Sequence, residues 1–148
     1  GFDEDYFAHQ EEIDLCWRLF NKGYEVWALP QSVVYHLGGG TLDHQHPRKT
    51  FFNFRNSLFS LVKNVPGAQV ILLIFSRLIL DGIAGIMFVF QGKPRHTWAI
   101  VRAHFSFYSH LALFLRKRKK LARRGKYSKI SSVVKAYYID GKKRFRQL

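Results

Sequence analysis

The sequence has little cysteine and little acid, and each shortage excludes something. Its 148 residues include one cysteine, Cys16, which rules out an internal disulfide framework and fits a reducing compartment. Lying between Leu15 and Trp17, Cys16 is expected to be a small buried hydrophobe. Ten Asp and Glu stand against 24 Lys and Arg. Beyond residue 46 only Asp81 and Asp140 are acidic, against 22 bases, a net charge of +20. Residues 1–46 carry the other eight acids with only Arg18 and Lys22, a net charge of −6. That asymmetry implies an anionic partner for the later part, with nucleic acid and anionic lipid as the candidates. A zinc knuckle, an aromatic sheet motif and a helix-turn-helix signal are all missing, which together with the long apolar windows argues against nucleic acid. There is no internal repeat and no Met at position 1. The chain opens inside a motif, so it is expected to be the C-terminal piece of a longer protein, and no signal peptide can be judged from it.

What the sequence does hold begins with acid among aromatics. Asp3, Glu4, Asp5, Glu11, Glu12 and Asp14 are interleaved with Phe2, Tyr6 and Phe7. Residues 1–10 read as a loop pinned by those rings. Glu11 to Asn21 reads as a helix: Ile13, Cys16, Trp17 and Phe20 share an apolar face, and Glu11, Glu12 and Asp14 occupy the first turn, where the helix dipole favours negative charge. Arg18 stands four residues after Asp14 and can pair with it, and Gly23 is a C-terminal stop. Two short strands are expected, over 24–29 and 32–36, followed by a hinge at Gly38, Gly39 and Gly40. An amphipathic helix is expected from Arg48 or Lys49 to Lys63, broken at Asn64-Val65-Pro66-Gly67.

The most apolar window, Val70 to Phe90, is 21 residues long, just enough to span a bilayer. A span, a membrane-lying hairpin and a buried core helix are all compatible with it. Arg77 and Asp81 sit four apart on one face, where each can satisfy the other. An amphipathic pattern returns from Thr97 to Leu115, and the basic run Arg116-Lys117-Arg118-Lys119-Lys120 follows. Lys and Arg beside a membrane surface contribute about 1 kcal/mol each in attraction to anionic lipid.

The motifs Gly1-Phe2-Asp3-Glu4-Asp5-Tyr6-Phe7, Glu11-Glu12-Ile13-Asp14-Leu15-Cys16-Trp17-Arg18 and Gly23-Tyr24 resemble the C-terminal signature of the family-2 glycosyltransferases. Val34-Tyr35-His36-Leu37-Gly38-Gly39-Gly40-Thr41, Arg48-Lys49-Thr50 and Asn53-Phe54-Arg55-Asn56 continue the resemblance in the same order, so that it covers residues 1–64. The hydrophobic and basic remainder is similar to membrane-associated bacterial members, a looser match.

The resemblance implies an α/β parent fold, the Rossmann-like A-type glycosyltransferase fold. This chain would supply a mostly α-helical part of it, with two short strands finishing the sheet. It implies transfer of a sugar, with inversion, from a nucleotide-sugar donor to a hydroxyl of a saccharide or lipid-linked acceptor. Such transfer belongs to cell-envelope polysaccharide synthesis on the cytoplasmic face of the bacterial inner membrane. Glu12 aligns with the family's general base, a Glu where the family has Asp, with Glu11 and Asp14 able to share the role. Arg48, Lys49, Trp17 and Arg18 align with substrate and diphosphate contacts, and His36 with a metal ligand or phosphate contact. The divalent ion, Mg or Mn, belongs with an Asp-x-Asp motif that this sequence lacks, so the chain alone is not expected to turn over.

The expected organisation is therefore a catalytic part over 1–64, hydrophobic and amphipathic membrane-associated helices over 65–120, and a basic tail over 121–148. Each feature also has a plainer reading. Acids in a first helical turn are usually dipole-favoured surface, and a histidine after a strand is usually structural. A non-catalytic basic module that binds an anionic membrane surface is the competing function.

Overall fold

Helix α1 (Glu11–Asn21), α2 (Pro47–Asn64), α3 (Gln69–Phe90), α4 (Pro94–Lys119) and α5 (Val133–Tyr138) make up the regular structure, after one short 3-10 turn at Glu4–Tyr6. The structure, a computed structural model, describes residues 1–27, 29–35, 46–121 and 133–142.

The core lies between α2 and α4. On α2 the buried positions Phe52, Asn56, Phe59 and Lys63 recur at helical spacing. On α4 Ala99, Ala103, Phe107 and Phe114 do the same. Phe59 and Phe114 stack with centroids 3.8 Å apart, and Tyr6 closes on both rings edge-on at 6.2 and 5.9 Å. Burying one such ring is worth roughly 1.5–3 kcal/mol. Pro47 opens α2 with no N–H to lose, and the His46 ring accepts the Arg48 N–H at 3.1 Å. The chain leaves α2 through Gly67 at φ 63, and Arg118 donates to the Val62, Val65 and Gly67 carbonyls there.

Helix α3 presents two different faces. Ile74 and Leu78 pack onto the core, and Asp81 and Gly85 are buried one and two turns further on. Ile71, Leu72, Phe75, Ile83, Ile86 and Phe90 point outward and are exposed. Asp81 receives Arg77 Nε at 2.5 Å and meets His104 Nε2 of α4 at 3.0 Å. The i,i+4 pair legible in the sequence is therefore a triad completed by the neighbouring helix. By length and composition α3 can cross a membrane.

The expected α/β fold is overturned. The described residues are mostly helical and include no strand. Described positions at both strand candidates, including Tyr24, Val26, Trp27, Leu29, Val33, Val34 and Tyr35, carry exposed side chains and no ladder. Aromatic and branched residues suit a pleated surface, but a strand needs a neighbouring backbone and a covered face, and neither is provided here. The triglycine lies outside the described residues.

Helix α1 occupies the expected span but turns the other way. Its buried residues are Asp14 and Asn21, while Ile13 and Cys16 are exposed, so Cys16 is not the buried hydrophobe expected. Helix α4 runs through the basic run as far as Lys119 instead of ending before it. Lys and Arg are good helix formers, and the C-terminal end of the dipole favours them.

Candidate functional site

The acidic segment folds onto α2 by pairing its carboxylates with cations. Asp14 is 0 % exposed and accepts from Arg18 Nε at 2.8 Å, Lys63 Nζ at 2.8 Å, Asn64 Nδ2 at 2.9 Å and the Tyr6 hydroxyl at 3.2 Å. Lys63, itself buried, also donates to Asp3 at 2.5 Å. Lys117 reaches down from α4 to Asp3 at 2.5 Å and Asp5 at 2.7 Å. Burial opposes the Asp3 charge, yet hydrogen bonds from Lys117 and Lys63 outweigh it and hold the carboxyl below its ordinary range. Burial likewise opposes the Lys117 charge, and its bonds to Asp3 and Asp5 raise it above the usual value. Tyr6 is driven far above its usual range by burial and by the Asp14 charge, so it stays a neutral donor.

Between this hub and α1 lies a loop in an unfavourable backbone conformation. Phe7, His9 and Gln10 have φ of 63, 66 and 70°, in the region L side chains rarely adopt. Strain of this kind costs of order 1–3 kcal/mol per residue and persists where surroundings over-determine it. Here they do. The buried Asn56 amide donates to the Tyr6, Ala8 and His9 carbonyls at 3.0, 2.8 and 2.8 Å. Arg55 donates to the Tyr6 carbonyl at 3.1 Å and holds the Asn56 carbonyl oxygen at 2.9 Å, which fixes the amide's orientation. The loop delivers the start of α1, where Gln10 provides no side-chain cap. Glu12 is exposed there, and Glu11 is half-buried. Glu11 Oε2 and His9 Nε2 are buried atoms with no hydrogen-bond partner among the described residues.

On the other side of Arg55 is a groove of about 790 Å³ between the first turns of α2 and α4. Arg48 and Arg55 line it from α2, and Arg95, Trp98 and Arg102 from α4. The Arg48 guanidinium lies 5.5 Å from the Phe7 ring centre, so groove and strained loop adjoin. Arg55 lies 5.2 Å from Phe51, and Arg102 lies 5.7 Å from the same ring. Thr50 and His96 join the two helices beside the groove through a 2.8 Å hydrogen bond. None of the four arginines has a carboxylate within ion-pair distance among the described residues. A second cavity, of about 510 Å³, lies over Asp3, Arg18, Lys63 and Lys117, where the two signs of charge already meet.

The residues expected from the sequence thus separate. Glu11 and Glu12 stand at the start of α1. Asp14 and Arg18 are bonded into the hub, and Arg18 also donates to the Gly1 carbonyl at 2.7 Å. Trp17 is half-buried on α1. Arg48 lines the groove, and Lys49 is half-buried in the same first turn. His36 lies outside the described residues. Among the described residues no three His, Cys, Asp or Glu side chains gather to hold a metal ion.

Sequence reasoning had Tyr6 as a ring pinning the first loop, which it is, but missed its hydroxyl's bond to Asp14 and the parts played by Lys63, Asn64 and Lys117. It placed Trp98 at a headgroup level but missed Arg95 and Arg102 beside it, although the three stand at i, i+3 and i+7 on one face of a helix. No protein-family model, no curated protein and no solved structure matches this chain.

Proposed function

We propose that this chain is the C-terminal part of an inverting glycosyltransferase associated with a membrane, and that Glu12 is its general base. The observation that carries the reading is the strained loop. A loop with three residues of positive φ, held by Asn56 and Arg55 through the Tyr6, Ala8 and His9 carbonyls, leads into the uncapped start of α1, where Glu11 and Glu12 stand, and its Phe7 adjoins a groove of arginines. Glu12 takes the proton of the acceptor hydroxyl as that oxygen bonds to the anomeric carbon. The bond from that carbon to the donor diphosphate breaks on the opposite face, and its electron pair leaves with the diphosphate. Asp14, fully bonded and buried, positions α1 instead of reacting. The exposed apolar residues Ile13, Val26 and Trp27 support a further part of the protein packing on this side. The exposed apolar face of α3 supports membrane association.

The test uses the longer enzyme this reading implies. Glu12→Gln is expected to lower sugar transfer by roughly 10²–10⁴-fold, the usual worth of a positioned base, with donor binding retained. Near-normal turnover removes Glu12 from the role. The competing reading, a non-catalytic basic module on an anionic membrane, is favoured by the same face of α3 and by the groove. It predicts vesicle binding with no transfer from any nucleotide sugar.

A further inference from the structure

We infer that the groove between α2 and α4 is a binding site for the phosphate group of a membrane lipid, a monoester or diphosphate headgroup. Under the transferase reading, on which its biological use rests, this is the anchor of a lipid-linked acceptor and not the donor's diphosphate. Charge, volume and position carry it. Arg48, Arg95 and Arg102 line one cavity, are exposed and make no ion pair among the described residues, while Arg55 in the same wall is bonded to the Asp5 and Tyr6 carbonyls and feels the Asp5 charge, so three guanidinium groups are placed to meet a ligand. Guanidinium groups bind phosphate oxygens in pairs, and a dianion satisfies several at once. The cavity volume of about 790 Å³ suits a headgroup with its first attached atoms.

Position supplies the rest. Helix α3 ends at Phe90, 87 % exposed, and α4 begins four residues later at Pro94, on the groove wall. The groove therefore lies where the apolar helix gives out. Trp98, exposed in the same wall, is a residue type that favours the headgroup level. A soluble nucleotide needs no such placement, whereas a phosphate carried on a lipid tail arrives at this depth. The first turns of α2 and α4 also meet there, and their dipoles add to the attraction for an anion.

The experiment is vesicle flotation of the 148-residue chain. Phosphatidylcholine vesicles would carry either phosphatidic acid, a phosphomonoester, or phosphatidylglycerol, a phosphodiester, at equal surface charge. The chain is expected to bind phosphatidic acid about tenfold more tightly than phosphatidylglycerol, and Arg95→Gln with Arg102→Gln to abolish that preference. Both arginines are exposed, and an unchanged circular dichroism spectrum verifies the fold. A charge-matched control, Arg116→Gln with Lys119→Gln on exposed positions outside the groove, is expected to weaken both lipids equally and keep the preference. Inorganic pyrophosphate should compete for phosphatidic acid. Should pyrophosphate bind in solution as tightly as the lipid does, the site serves a soluble phosphate and the lipid part of the inference fails. Should the groove variant keep the preference, the site itself is refuted while membrane association stands. Should no vesicle bind, the membrane reading falls with it, whatever Glu12 does in the transfer assay.

Discussion

Two basic regions of this molecule use the same residue types in opposite ways. Around Asp14 the cations Lys63, Arg18 and Lys117 are bonded to carboxylates, and the centre of the network is sealed from water. In the groove Arg48, Arg95 and Arg102 share a cavity with no carboxylate and remain exposed. The first arrangement has satisfied its electrostatics by folding. In the second, like charges are held near one another, which costs free energy until an anion enters. Basic charge alone therefore marks neither a site nor a scaffold. What separates them is whether the chain supplies the counter-charge itself.

The comparison is broken most severely by removing a cation from the hub. Lys63→Met leaves Asp14 and Asp3 without their shared partner inside the protein, and losing one side of a buried ion pair costs roughly 3–5 kcal/mol. Chemical denaturation of this variant should show a large fall in midpoint. Asp14→Asn should behave similarly, because Lys63 and Arg18 then lose the negative charge they share. A midpoint within error of the parent would mean the hub is solvated and the contrast with the groove is unfounded.

Asn56→Ala is the next test. It leaves the Ala8 and His9 carbonyls without a side-chain donor, the Tyr6 carbonyl keeping Arg55, and should cost about 1–3 kcal/mol, since buried polar groups are then unpaired. The residues of positive φ should relax once the amide is gone. In the longer enzyme, transfer should therefore fall further than the loss of stability explains.

The pH dependence of the hub has a sign that follows from its two shifted groups. The Asp3 carboxyl is depressed below its ordinary 3.8, so its contribution is present above that value and is lost as pH falls through the folded-state pKa. The Lys117 ammonium is raised above 10.5, so its contribution is complete below that value and disappears as pH rises through its folded-state pKa. Stability from this pair is thus flat across neutral pH and erodes at both extremes. Asp3→Asn should shrink the acid limb in a denaturation series, and an unchanged limb would mean that Asp3 is not what the lysines hold.

Local periodicity explains which features could be read from the sequence. The extent of α1, the break at Asn64 to Gly67 and the Arg77–Asp81 pair depend on neighbours within one helical turn or on turn residues, and each appears. What failed depended on distant partners. Strands over 24–29 and 32–36 needed another backbone beside them. Cys16 needed a surface to cover it, and α1 instead buries its polar seam because Lys63 and Asn64 lie 49 and 50 residues away to receive Asp14. Arg55 and Asn56 were legible as a motif, but that they clamp a strained loop was not, because their acceptors are backbone carbonyls without sequence identity.

The smallest effect on stability should come from the groove, and there the two regions part most clearly. Arg95 and Arg102 are exposed and make no ion pair among the described residues, so their replacement by Gln should change unfolding free energy by no more than about 0.5 kcal/mol. Relief of repulsion with Arg48 and Arg55 can even make the change slightly stabilising. Arg102 also lies 5.7 Å from the Phe51 ring, an exposed cation–π contact worth about 0.5–1 kcal/mol, which sets the opposing side. A thermal melt of the Arg95→Gln and Arg102→Gln variant should therefore stay close to the parent while the phosphatidic acid preference disappears. A melt lowered as far as that of Lys63→Met would make these arginines part of the scaffold, and the distinction between spent and unspent charge would go with it.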